Sequence, residues 1–132
     1  MNRINESIER GRRFGFVSRI KSIGHACNGV FRFFREEHNA RIHLAATFVA
    51  LLLSLKFRLG GWELAAIIFV TVLVWITEII NTAIEKIMDH LSPEIHPSVK
   101  YIKDLAAAAV LVAAIAALVT GLIVFIPKIL TV

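Results

Sequence analysis

Cysteine is nearly absent from these 132 residues: Cys27 stands alone, so no intrachain disulfide can form and the redox compartment stays unspecified. The nucleophile and nucleotide signatures of soluble enzymes are missing as well. There is no Gly-x-Ser-x-Gly elbow, no Cys/His arrangement, no His-Glu-x-x-His zinc motif and no Gly-x4-Gly-Lys-Ser/Thr phosphate loop. Any nucleotide must therefore be held without a Walker cradle. The polar and basic N-terminus lacks an apolar h-region, so no secretory signal peptide is expected. Polar residues are scarce too. With 57% of residues hydrophobic, a soluble fold this small would have nowhere to hide its apolar surface.

What remains reads as an all-α integral membrane protein of one domain. The net charge is +5, and nine of the fifteen Lys and Arg precede residue 42. No aromatic-basic interleaving accompanies them, so an anionic lipid surface fits better than nucleic acid. Residues 1–18 form a polar, basic segment in which Gly11 and Gly15 disfavour a stable helix. From about 19 to 36, Ile20, Ile23, Cys27, Val30, Phe31 and Phe34 recur at helical spacing between Arg19, Lys21, Arg32 and Arg35. That pattern predicts an amphipathic helix at the headgroup level, with Gly24 and Gly29 as points where it could break.

Three apolar helices are expected after it, over about 39–57, 62–91 and 98–126. The first is short, with His43 near one interface and Lys56 and Arg58 snorkelling at the other. Leu59-Gly60-Gly61 reads as a tight turn, and Trp62 as an interfacial residue opening the second span. Pro93 and Pro97 mark the next loop, and Pro127-Lys128 reads as the end of the third span. Within that span Ala109, Ala113, Ala117 and Gly121 form a ladder of small residues that lets helices approach closely. The distribution of basic residues puts the N-terminus in the cytoplasm and the C-terminus outside.

The informative stretch is Thr77 to Asp89. Advancing about 100° per residue, Glu78, Asn81, Glu85 and Asp89 fall on one face of a helix that begins as an unbroken apolar run. Ionisable groups at such depth face a bundle interior or water and mark function. A solvated helix end accounts for Asp89 but not for Glu78. The orientation gathers Glu37, Glu85, Asp89, Glu94, His96, Lys103 and Asp104 on the same side. Carboxylates without thiolates suit a hard cation, Mg²⁺ before Zn²⁺. His25, His38, His43 and His90 read as structural rather than as ligands. A lysine, Mg²⁺-binding carboxylates and a shielded glutamate are what phosphoryl transfer needs. From the residues alone, a membrane phosphotransferase and a proton- or cation-relaying carrier both stay open.

Glu78-Ile79-Ile80-Asn81-Thr82-Ala83-Ile84-Glu85, followed by Asp89, resembles the signature of the prokaryotic diacylglycerol kinases, small trimeric membrane enzymes. Glu37 to His43, Ser92 to Pro97 and Lys103 to Val110 extend the likeness, especially to the undecaprenol-kinase branch. The resemblance spans roughly residues 20–127. It implies ATP- and Mg²⁺-dependent phosphorylation of diacylglycerol or undecaprenol by a homotrimer in the bacterial inner membrane, with the site on the cytoplasmic side. It also implies roles. Glu78 matches the general base, and Glu37 and Glu85 match the carboxylates holding Mg²⁺ and, through it, ATP. Glu94, Ile95 and His96 match a nucleotide-contacting loop, and Lys103 and Asp104 a pair beside phosphates and ribose. His25 falls near another nucleotide contact, while Asn81, Asp89 and Ala107 match positions that shape the site or meet substrate. Two departures stand out: many relatives carry glycine where Ala106 or Ala108 stands, and the basic N-terminal residues Arg12, Arg13, Arg19 and Lys21 find no clear counterpart.

Overall fold

A computed structural model describes residues 16–92 and 96–131. Among them there are four helices and no strand: α1 Phe16–Glu36, α2 His38–Lys56, α3 Gly61–Leu91 and α4 Pro97–Leu130. The chain divides into two units after Glu36.

The first unit contributes α1. It starts at Phe16, three residues earlier than the sequence suggests, and runs unbroken through Gly24 and Gly29. Two interior glycines cost about 1 kcal/mol each relative to alanine. An Arg32 Nε–Glu36 Oε1 pair at 3.2 Å and a Ser22 hydroxyl donating to the Ser18 carbonyl at 3.0 Å reinforce the same turns. The apolar residues share one face and the basic residues the other, so α1 is amphipathic.

The second unit holds α2, α3 and α4, each long and apolar enough to cross a membrane. Glu37 is the N-cap of α2, in extended backbone. The α2–α3 turn is closed by Phe57, Arg58 and Leu59 amides donating to the carbonyls of Leu53, Leu55 and Ser54. The reversal needs left-handed backbone at Arg58 (φ 49°) and Gly61 (φ 55°); only the glycine adopts it without steric cost. α3 has 31 residues, about 45 Å, more than the hydrocarbon thickness. His96 caps α4: its Nδ1 accepts from the Ser98 amide at 3.2 Å, and Pro97 takes a first-turn position where no amide is missed.

α4 does not stop at Pro127. It continues to Leu130 with the proline inside its last turns. One backbone bond is forgone there. The Thr131 hydroxyl closes the end by donating to the Pro127 carbonyl at 2.9 Å, and Lys128 pairs with Glu63 of α3 at 3.0 Å. That contact rewards the extra turn.

α3 packs along α4 and, over a shorter stretch, against α2. Its buried positions are Ile67, Val70, Val74, Glu78, Asn81 and Thr82, a stripe repeating every three to four residues. At the end near the α2–α3 turn, Ile67 meets Leu59, Val124 and Phe125. Ala40 is fully buried and Ala113 nearly so, the small side chains of α2 and α4 admitting close approach. Large apolar residues such as Phe48, Phe69, Leu111 and Ile123 face outward, as hydrocarbon allows and water does not.

Candidate active site

The apolar stripe of α3 changes chemistry without changing face. Four residues after Val74 comes Glu78, then Asn81, and four residues later Glu85. The periodicity that buries valine therefore buries a carboxylate. Glu78 is 2% exposed, and burying a charge without partners is prohibitive. Its surroundings are polar: His43 Nε2 of α2 lies 3.9 Å from its Oε2, the Asn39 side chain is within reach, and Glu37 and Glu85 are close enough to act on it electrostatically.

His43 is itself held. The Thr47 hydroxyl donates to the His43 carbonyl at 2.7 Å and accepts from Trp75 Nε1 at 3.1 Å, while the Trp75 and His43 rings meet edge to face, 6.3 Å between centroids. His43 also helps to line an apolar cleft of about 460 Å³ formed by α2, α3 and α4, together with Thr47, Val74 and Phe125.

Towards the end of α3, oxygen ligands and cations alternate. The Asn81 amide donates to Glu85 Oε1 at 3.1 Å, and its own Oδ1 is buried with no partner among the described residues. Lys86 Nζ sits 3.0 Å from Glu37 Oε1. Lys103 of α4 donates to Asp89 Oδ1 at 2.8 Å. Asp104 is paired not with Lys103 but with Lys100, one turn back, at 2.7 Å. Ala107 is exposed on α4. His96 serves as a helix cap, a duty its sequence context did not announce. Glu94 and Ile95 lie outside the described residues, and His25 belongs to α1 in the other unit.

Thus Glu78, Glu37 and Glu85 converge, joined by three residues that sequence reasoning passed over as site members: His43, Asn39 and Lys86. His43 lies four residues after Asn39 and six after Glu37, so one helical start delivers all three; only the pairing across to α3 was invisible. Among the described residues no three His, Cys, Asp or Glu close into a metal cage. Mg²⁺ does not require one, since it keeps several waters and takes one or two carboxylates plus substrate phosphates. Glu37 and Glu85 are hard oxygen donors of the kind that could hold it, and Asn81, bonded to Glu85, has a buried amide oxygen without a partner among the described residues.

Residues 24–125 match the sequence profile of prokaryotic diacylglycerol kinase. The chain belongs to that family. The undecaprenol kinase of Bacillus subtilis (strain 168) is 35% identical over 109 residues, 83% of this chain and 89% of the relative. The diacylglycerol kinase of Synechocystis is 33% identical over 113 residues, 85% of this chain and 65% of the relative. That of Escherichia coli K12 is 31% identical over 106 residues, 80% and 87% respectively. Membership makes this protein a lipid kinase of a bacterial membrane, and a kinase requires a phosphate donor.

Proposed function

We propose that the protein transfers the γ-phosphoryl group of ATP, with Mg²⁺, to the hydroxyl of a membrane lipid alcohol, diacylglycerol or undecaprenol. The observation that carries this reading is a glutamate 2% exposed in a membrane-compatible helix, with further carboxylates beside it. Glu78 Oε2 accepts the hydroxyl proton as the alcohol oxygen forms its bond to the γ-phosphorus. The bond from phosphorus to the β–γ bridging oxygen breaks, and ADP leaves. A carboxylate shielded from water is a better base for an alcohol than a solvated one, and positioning supplies the rest. When bound, Mg²⁺ on Glu37 and Glu85 supplies neutralisation of phosphate charge. Lys103, Asp104, Glu94, Ile95, His96 and His25 contact the nucleotide; Asn81, Asp89 and Ala107 shape the site. Residues 19–132 make up the kinase domain, and 1–18 a basic segment preceding it. The enzyme works as a homotrimer in the inner membrane, its site open to cytoplasmic ATP.

The test is to offer diacylglycerol and undecaprenol in competition to the purified protein in mixed micelles with labelled ATP and Mg²⁺. One of them acquires phosphate, and Glu78→Gln lowers the rate by about 100-fold or more. If neither lipid is labelled, and Glu78→Gln instead abolishes ion flux in vesicles, the protein is a carboxylate-lined proton or cation carrier.

A further inference from the structure

The gap between His43 Nε2 and Glu78 Oε2 is 3.9 Å, too long for a direct hydrogen bond. It is short enough for a single oxygen to touch both, at the apex of a triangle with sides of about 2.8 Å. The two groups are 18% and 3% exposed, so the oxygen bridging them arrives from within the protein's own clefts more readily than from bulk solvent. His43, one side of this gap, also lines the apolar cleft between α2, α3 and α4. The imidazole meets the edge of Trp75, whose Nε1 is itself anchored on the Thr47 hydroxyl, so the ring has a fixed neighbour on the side of α3.

We infer that His43 is a second catalytic residue, binding the lipid hydroxyl directly opposite Glu78. This rests on the lipid-kinase reading above. With hydrogen on its Nε2, the imidazole donates to one lone pair of the alcohol oxygen. The hydroxyl hydrogen points to Glu78 Oε2, and the second lone pair is left to face phosphorus. Every valence of the oxygen is thereby assigned, and the orientation cost is met before the nucleotide arrives. The group-transfer step is unaltered: proton to Glu78, new oxygen–phosphorus bond, ADP departing.

Two substitutions and one spectrum test it. Gln offers an amide N–H at nearly the reach of Nε2, whereas Leu fills similar space without a donor. His43→Leu raises the KM for the lipid alcohol and lowers kcat, about tenfold combined, the worth of one hydrogen bond, with the KM for ATP unchanged. His43→Gln recovers most of that loss. Equal kinetics in wild type and His43→Leu, or a Gln variant as poor as Leu, overturns the assignment even where wild type phosphorylates lipid. Failure of wild type to phosphorylate any lipid is a different result and removes the kinase reading instead. Independently of activity, ¹⁵N-labelled His43 in the full-length protein in micelles shifts its ring resonance on adding a fifteen-carbon isoprenoid alcohol, without metal or nucleotide. The hydrocarbon of the same skeleton leaves it in place. No shift with the alcohol, or an equal shift with the hydrocarbon, refutes the contact whatever the variants do.

Discussion

Lys103 is occupied: its ammonium donates to Asp89 at 2.8 Å, with side chains 34% and 65% exposed. Under the proposed function a triphosphate draws the lysine away from that carboxylate, and charge-assisted bonds to phosphate are strong enough to do so. Lys103→Met is therefore expected to raise the KM for ATP about tenfold or more while sparing the KM for the lipid, as initial rates at varied concentrations of each will show. The Lys86–Glu37 pair has the same character. Lys86 is exposed and Glu37 half-buried, and surface pairs contribute about 0–1 kcal/mol, so the cation proposed at Glu37 would displace Lys86 at little cost. Glu78 is the opposite case. Its burial costs stability that only function repays, the usual reason a local rule is broken.

Within the elements, one register on α3 serves packing and chemistry alike, so helix contacts set the geometry of the carboxylates. Ala113 of α4, 3% exposed, sits in the surface packed against α3. Ala113→Leu forces the helices apart and is expected to cost about 1–3 kcal/mol, read as a lower thermal midpoint by circular dichroism in detergent. The three spans and the carboxylate face were legible in the sequence because hydropathy and a 3.6-residue period speak directly of helices. Other features were not. The run through Gly24 and Gly29 opposes local propensity. The passage of α4 beyond Pro127 gains a partner in Glu63, 65 residues earlier in the chain, and no local signal announces it. The pairing of His43 with Glu78 joins two helices, whereas a single sequence reports only spacing along one. Asp104 likewise follows Lys103 in sequence yet bonds Lys100, because neighbours on a helix face are three or four residues apart.

For the molecule as a whole, Asp89, the partner of Lys103, lies eleven positions after Glu78 on α3, about 16 Å along the helix. With Glu78 as base and Lys103 on phosphate, the roles proposed above, a single chain would hold the two far apart for one transferring group. In the homotrimer proposed above, a site completed between neighbouring subunits would bring them nearer. Co-assembling Glu78→Gln with Lys103→Met subunits at low ATP is then expected to yield more activity than the mean of the two variants measured separately. Activity equal to that mean places the whole site within one subunit.

The contact between Trp75 and His43 has an experimental use as well. Only two indoles are present, and the other, Trp62, is 69% exposed and remote in sequence from the carboxylates. With Trp62 replaced by Phe, emission excited at wavelengths that Tyr101 does not absorb would come from Trp75 alone, whose neighbour is the imidazole beside Glu78. The protein carries a built-in optical probe, and stopped-flow traces of its brightness could time an arriving oily molecule before any phosphate moves.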